Sequence, residues 1–347
     1  MEPSEKEPLI GKTLDELRAV VASAGLKPFA AKQMAAWLYA RRATDFDQMT
    51  DLSKAARARL AERYTVGREG PRKAARSADG TVKYLFAGAA GRDVEAVFIP
   101  DRDRATLCVS SQAGCRMGCT FCATGRGGLA GNLTAAGIMN QILSVPRSED
   151  LTNIVFMGMG EPTDNLDAVI ASIEILTAPW GLAWSPKRIT VSTIGNIPGL
   201  MRLIEQTKVH IALSVHSPFA AERSAIMPAE KAWPLEHVVE LLRGHDFAHQ
   251  RRLSAEYILW AGENDDRAHA DALARLLHGT SARVNLIRYH ALPGSDRRPP
   301  STAVMEAFRD RLNAAGITAT IRASRGEDID AACGMLSGKN SAPAGQQ

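Results

Sequence analysis

The sequence predicts an α/β protein: an incomplete (βα)6 barrel preceded by an N-terminal helical module and a small β-hairpin adaptor. Three observations carry this reading. From residue 105 onward β-like runs alternate with helical ones at about 35-residue spacing, the pattern of parallel strands joined by helical crossovers. The first seventy residues show only helical periodicity. Between the two lie short apolar runs broken by turn residues.

Thr13 followed by Glu16 forms a capping box ahead of Leu14, Leu17, Val20 and Val21 at helical spacing, and Gly25 stops the run. Met34, Trp37 and Leu38 mark a second helix, and Leu52, Ala56 and Leu60 a third. Val82 to Phe86 and Val94 to Ile99, broken by Asp79-Gly80 and by residues 88–91, read as a hairpin. The barrel strands are expected at Ala105 to Ser110, Asn153 to Phe156, Arg188 to Ser192, Val209 to Ser214, Leu253 to Leu259, Val284 to Tyr289 and Ile317 to Ile321. Helical patterns lie between them at Asp167 to Leu176, Leu235 to Leu242, Arg267 to Leu277 and Ala303 to Ala314. The expected divisions are therefore a helical module over 1–70, a hairpin adaptor over 71–104, the partial barrel over 105–336 and a disordered polar tail over 337–347. A barrel of this kind presents its reactive site on the loops at the carboxyl ends of its strands.

Hydrophobic residues at 45% and charged ones at 23% of 347 exclude disordered and fibrous classes, and 5% aromatic content argues against a carbohydrate-binding surface. The longest charge-free stretch, Gly127 to Pro146, is interrupted by Asn132, Thr134, Asn140, Gln141 and Ser144, so no membrane helix is expected. The opening Met-Glu-Pro-Ser-Glu-Lys-Glu has no apolar core, which predicts a cytoplasmic protein whose thiols are chemical and not structural. The net charge of +4 is small, but between Arg283 and Gly326 eight arginines face three acidic residues. Such a stretch suits phosphate, and it equally suits a solvated basic face.

Three of the five cysteines, Cys115, Cys119 and Cys122, fall in C-R-M-G-C-T-F-C directly after the first barrel strand. Gly114 and Gly118 let a loop aim three thiolates at one place. Structural zinc takes four ligands, usually as two pairs, and no second pair exists, His210 being far downstream. A [4Fe-4S] cluster held by three thiolates leaves one iron open to a substrate or cofactor. The C-x3-C-x2-C spacing resembles that of the radical S-adenosylmethionine superfamily, in which that open iron is chelated by the amino and carboxylate groups of S-adenosylmethionine.

Gly158-Met159-Gly160-Glu161-Pro162 ends the second barrel strand, where glycines permit close backbone approach and Glu161 can accept from a cationic amine. A G-x-G at such a turn also occurs for turning alone. Ser192 and Ser214-Val215-His216 end the third and fourth strands and face the barrel mouth, although a lone histidine there can serve as a structural polar residue. His237, His245 and His249 read as surface.

Longer stretches go further. A-T-L-C-V-S-S-Q-A-G-C-R-M-G-C-T-F-C-A-T-G, N-I-V-F-M-G-M-G-E-P, V-N-L-I-R-Y and G-E-D-I-D-A-A-C-G-M-L together resemble the RlmN/Cfr family of radical S-adenosylmethionine RNA methyltransferases. The resemblance runs from about Thr13 to Leu336, and K-P-F-A-A-K-Q-M-A-A-W-L-Y is similar to the family's RNA-engaging module. It implies that Cys115, Cys119 and Cys122 hold the cluster, and that Gly160, Glu161, Ser192, Ser214, Val215, His216 and His290 contact S-adenosylmethionine. It implies further that Cys333 is methylated, that Cys108 later pairs with it in a transient disulfide, and that Glu95 accepts a proton. In that chemistry two S-adenosylmethionine molecules are used per turnover, one to methylate Cys333 and one to abstract hydrogen from the S-methyl group, whose methylene radical adds to adenine. The implied partners are RNA, namely 23S rRNA and also tRNA, and an electron-donating flavodoxin- or ferredoxin-type protein, with the enzyme acting as a monomer.

Two departures stand out. His290 occupies the place of the family's usual Asn, and S-V-H-S-P-F with N-L-I-R-Y leans toward the Cfr-like branch, which methylates carbon 8 of adenosine. The N-terminal module leans toward the branch that methylates carbon 2, the reading favoured here. A non-catalytic RNA-binding protein with a zinc-stabilised three-cysteine loop, and a radical enzyme acting on a protein or small molecule, remain the competing classes.

Overall fold

The computed structural model describes residues 6–247 and 252–338. Its centre is a ten-stranded sheet made of β1 (Lys73–Arg76), β2 (Val82–Phe86), β3 (Val94–Asp101), β4 (Arg104–Cys108), β5 (Asn153–Phe156), β6 (Ile189–Thr193), β7 (His210–Ser214), β8 (Leu253–Leu259), β9 (Arg283–Arg288) and β10 (Ala319–Ile321). Spatial order follows chain order, β4 to β10 running parallel and β1 to β4 pairing antiparallel. The parallel part is the open barrel the alternation predicts. The expected hairpin is present and continues the barrel sheet through β3, where Val97 lies opposite Cys108.

Apolar runs explain the buried strands. Ile211, Ala212 and Leu213 of β7 and Ala255, Tyr257 and Leu259 of β8 are buried, as central parallel strands covered on both faces require. Crossovers between strands are helical: α4 (Ala123–Arg126) and α5 (Ala135–Ser144) before β5, α6 (Leu166–Thr177) before β6, α7 (Ile197–Gln206) before β7, α8 (Ala220–Ile226) and α9 (Leu235–Arg243) before β8, α10 (Arg267–Leu277) before β9 and α11 (Thr302–Ala314) before β10. Each amphipathic helix buries one stripe on the sheet, as Val238, Val239 and Leu242 do in α9.

The N-terminal region forms α1 (Leu14–Ser23), α2 (Ala30–Ala35) and α3 (Lys54–Arg63). The Thr13/Glu16 capping box is present, Glu16 Oε2 accepting from Thr13 N at 2.7 Å. The second helix differs from expectation: after Ala35 it widens into a π-turn over Ala36–Ala40, so Leu38 and Tyr39 are buried while Trp37 swings to the rim and donates through Nε1 to Asp51. These helices are fastened to α5. Asn140 exchanges two hydrogen bonds with the Glu69 backbone (2.8 and 3.0 Å), Arg68 donates to the Leu143 carbonyl, and Arg42 donates to Ser148 at 2.5 Å.

At the other end, Ser337 and Gly338, expected at the start of a disordered tail, are held by hydrogen bonds to Glu95. Residues 339–347 and His249 lie outside the described residues. His237 is exposed as expected, whereas His245 is half-buried with Nδ1 at 2.8 Å from the Leu241 carbonyl. Among the described residues no helix is long and apolar enough to cross a membrane.

Candidate active site

One cavity opens at the carboxyl ends of the parallel strands, and most of the site residues expected from the sequence line it: Cys115, Cys119, Cys122, Gly160, Glu161, Ser192, Ser214, His216 and Cys333. Four expected residues do not: Cys108, Glu95, Val215 and His290 lie outside its wall. Val215 is fully buried and offers only its backbone, its N–H donating to the Glu256 carbonyl and its carbonyl accepting from Arg223. His290 turns away from the cavity. Its Nε2 lies 3.1 Å from Ser324 Oγ, and its Nδ1 is 3.2 Å from Glu327 Oε1 but outside hydrogen-bonding geometry.

The cysteine loop follows β4 and is shaped by Gly114 and Gly118, both with left-handed backbone (φ +85° and +66°). Burial pushes the Cys115 thiol up to about 12 and raises Cys119 further, with neighbouring Cys122 adding to both. Two buried thiols beside a half-buried third are poor company as free thiolates and need cationic metal to be ionised together. Among the described residues no group of three His, Cys, Asp or Glu is arranged to hold a single metal ion. A cubane suits them better, because its irons occupy separate corners and the thiolates need only face a common volume.

Gly160 has φ +102°, and a Cβ there would come within 2.6 Å of the Gln112 side chain and 2.8 Å of its backbone nitrogen. This tight approach lets Gln112 Oε1 accept from the Glu161 N–H at 2.8 Å. Glu161 is buried; its carboxylate accepts from Thr163 N (3.2 Å), Thr163 Oγ1 (2.5 Å) and Ile194 N (3.0 Å). Burial raises its pKa, and those donors oppose the rise. A buried carboxylate on a wall shared with three thiols, with no cation bonded to it among the described residues, fits the ammonium group of S-adenosylmethionine.

His216 is a non-glycine residue at φ +60°, a strained conformation held from both sides. Asn264 Nδ2 donates to its carbonyl at 2.8 Å, and Ile258 N donates to its Nδ1 at 3.1 Å. Burial pulls its pKa down to about 3, with Arg223 adding to the fall, so the ring is neutral with its proton on Nε2. Phe121 of the cysteine loop packs edge-on against it at 4.8 Å.

Three charged residues of this site are not expected there from the sequence, Arg322 being marked only as one of the eight arginines of residues 283–326. Arg223 is completely buried and donates to the carbonyls of Val215 (3.1 Å), Ile194 and Ser214 (2.9 Å each) and to Glu230, knotting the ends of β6 and β7. Glu256 lines the cavity from β8, with Oε1 satisfied by Ser254 and Asn285 (2.8 Å each) while Oε2 has no hydrogen-bond partner among the described residues. Arg322, directly after β10, lies 3.6 Å from that oxygen and 3.7 Å from Met157 Sδ. Its charge is felt by both Cys108 and Cys333. Cys333 retains exposed surface, yet protein crowding around its thiol raises the pKa while Arg322 pulls it down. Cys108 is buried and is pushed up to about 12, first by burial and then by Cys333.

A three-thiol loop after the first parallel strand of an open barrel, facing a cavity with a buried carboxylate, defines a radical S-adenosylmethionine enzyme, and residues 109–273 match the Radical SAM superfamily. Residues 8–66 match the ribosomal RNA large subunit methyltransferase N-terminal domain. The probable dual-specificity RNA methyltransferase RlmN of Parabacteroides distasonis is 55% identical over 96% of this chain and 97% of its own length. The dual-specificity RNA methyltransferase RlmN of Syntrophotalea carbinolica is 42% identical over 94% and 88%. The crystal structure of a radical SAM methyltransferase from Sphaerobacter thermophilus superposes with a TM-score of 0.90 at 40% identity, covering 96% of this chain and all of that one. The chain belongs to the RlmN family of radical S-adenosylmethionine RNA methyltransferases. Family membership implies the cluster and S-adenosylmethionine, and it sets aside the non-catalytic zinc protein and the small-molecule enzyme.

Proposed function

We propose that this enzyme methylates carbon 2 of adenosine in 23S rRNA, with a tRNA adenosine as a second substrate, through an S-methyl group on Cys333. The observation that carries the reading is that Cys333 shares one cavity wall with Cys115, Cys119 and Cys122, although over two hundred residues separate them. Residues 1–70 engage the RNA and 71–104 join them to the barrel, a reading supported by the rRNA methyltransferase module matched at 8–66.

Cys115, Cys119 and Cys122 would hold the cluster. Gly160, Glu161, Ser192, Ser214 and His216 would cradle S-adenosylmethionine, Glu161 taking the ammonium group. When bound, the two groups supply an electron and a hydrogen-abstracting carbon radical. Cys333 takes a methyl group by displacement, and later, as its methylene derivative, bonds to the base. Glu95 accepts the proton of the adduct carbon. Cys108 attacks the Cys333 sulfur and frees the product, leaving a transient disulfide that two free thiols in this structure are available to form. Two S-adenosylmethionine molecules are consumed. A flavodoxin- or ferredoxin-type protein supplies electrons to a cytoplasmic monomer. Val215 would act through its backbone, and His290 is the weakest member of the cradle because its ring faces Ser324.

Nucleoside mass spectrometry of RNA from a strain lacking this enzyme, with and without complementation, tests the regiochemistry. Loss of 2-methyladenosine from both 23S rRNA and tRNA is expected; loss of 8-methyladenosine would transfer the assignment to the other carbon. Anaerobically purified protein should be brown, with about four iron and four sulfide per chain.

A further inference from the structure

The segment carrying Cys333 is anchored by a buried ion pair whose lysine has no part in the roles above. Lys83 in β2 and Glu95 in β3 are 6% and 2% exposed, and Lys83 Nζ lies 3.1 Å from Glu95 Oε1. Desolvating two charges is costly, and such a pair persists only where further hydrogen bonds satisfy it. Here those bonds converge on one segment. Lys83 Nζ donates to the Asp330 carbonyl at 3.1 Å, and Glu95 Oε2 accepts from the backbone N–H groups of Ser337 (2.8 Å) and Gly338 (3.0 Å).

The anchors bracket the thiol, Asp330 before Cys333 and Ser337 and Gly338 after it. Asp330 adopts φ +52°, a conformation that is costly for a residue with a side chain, and Lys83 binds its carbonyl. From the opposite side Ala123 N donates to the Gly334 carbonyl (2.8 Å) and Thr124 Oγ1 to the Leu336 carbonyl (2.6 Å), immediately after the ligand-position Cys122. The segment is thus clasped between the start of α4 and the β2–β3 pair. Side chains on β2 and β3 are fixed by antiparallel pairing of Leu85 with Glu95 and of Lys83 with Val97, so the clasp has a rigid base.

We propose that the buried Lys83–Glu95 pair is a latch that sets the position of the Cys333 segment over the cavity, with Lys83 a positioning residue for methyl transfer to that thiol. The proposal rests on Cys333 being the methyl acceptor. An uncharged side chain at position 83 leaves the Asp330 carbonyl without its lysine donor and the Glu95 charge without its lysine partner, so the segment loosens while the cavity walls supplied by the cysteine loop and the strand ends stay in place.

Amide hydrogen exchange on the full-length, cluster-loaded protein, together with single-turnover methylation of Cys333, tests the latch. Slow exchange at Ser337 and Gly338 is expected in the unaltered enzyme. In Lys83→Met their exchange should accelerate by about tenfold or more, the equivalent of losing one charge-assisted hydrogen bond. Methyl transfer to Cys333 should slow while reductive cleavage of S-adenosylmethionine is unchanged, and Lys83→Arg should restore both exchange and methylation. A folded Lys83→Met with unaltered exchange would overturn the proposal, as would exchange at unprotected-peptide rates in the unaltered enzyme, a result that stands even where the variant does not fold. Failure of the methyl-acceptor reading looks different: Cys333 would stay unmethylated in the unaltered enzyme while its flanking amides remain protected.

Discussion

Glu161 Oε2 accepts a hydrogen bond from the backbone N–H of Ile194 at 3.0 Å, tying the turn after β5 to the turn after β6 across the cavity. With both Thr163 donors on Oε1, three donors converge on one carboxylate. An amide in its place has only one oxygen to offer, so its NH2 must confront a donor.

Glu161→Gln is therefore expected to weaken S-adenosylmethionine binding by about tenfold or more, since the ammonium loses a charged partner. The melting temperature should fall as well. Titration calorimetry on reconstituted protein measures the first effect, and unchanged affinity would exclude Glu161 from ammonium binding.

Arg223→Met removes a guanidinium that serves three carbonyls and leaves Glu230 buried with Leu235 N as its remaining donor. Breaking a buried pair from one side costs about 3–5 kcal/mol, so the urea midpoint should drop sharply. Burial lowers the Arg223 pKa, and the bonded Glu230 opposes the fall. Arg223→Lys, lacking the planar fork, should recover only part of the loss; a full recovery would show that charge alone matters there.

How far these features were legible depends on whether a residue's neighbours lie nearby in sequence. Asn153–Phe156 and Leu253–Leu259 were readable to the residue because a short apolar run reports its own burial. β4 ends at Cys108 and not at the expected Ser110, because Ser110 N donates to Gln141 of α5, a partner thirty-one residues away. β1 has no apolar signature because its K-A-A-R is a mostly exposed edge strand held by pairing. The cysteine loop was legible through spacing alone. Lys83, Arg223 and Glu256 were not, since a charged side chain reads as surface until the distant group that satisfies it is known.

His269 of α10 joins Asp266 (2.8 Å) and Glu222 of α8 (2.9 Å), with Phe219 packed edge-on at 5.0 Å, and so steadies the loop that follows His216. Burial by itself lowers its pKa, but the two carboxylates outweigh it and hold the value above that of an ordinary histidine. A raised folded pKa means that stabilisation is fully present below the unfolded value of about 6.5 and is lost as pH rises through the folded one. The stability gap between the unaltered protein and His269→Gln should accordingly shrink as the pH of chemical denaturation is raised from about 6 to about 9. A gap that widens over this range would contradict the ion-pair reading.

The final expectation concerns release of the product. Cys108 ends β4, buried between Val97 of β3 and Val155 of β5, and it is the one cysteine left once Cys333 and the three loop thiols are assigned. Burial pushes it up to about 12, and Arg322 offsets part of that rise, so the thiol is quiet until Cys333 brings an electrophilic sulfur beside it. On the proposed mechanism, once the adduct has lost its unpaired electron and Glu95 has taken the proton of the adduct carbon, Cys108 attacks the Cys333 sulfur: an S–S bond forms, the S–CH2 bond breaks, its electron pair stays with the methylene already bonded to the base, and a proton equivalent to the one the Cys108 thiol gave up completes the methyl group. Cys108→Ala removes only the attacking sulfur. The variant should still methylate Cys333 and cleave S-adenosylmethionine, but it should accumulate protein joined covalently to RNA, seen as a nuclease-sensitive band of lowered mobility on a denaturing gel. Normal turnover with free product and no such band would show that Cys108 does not resolve the adduct.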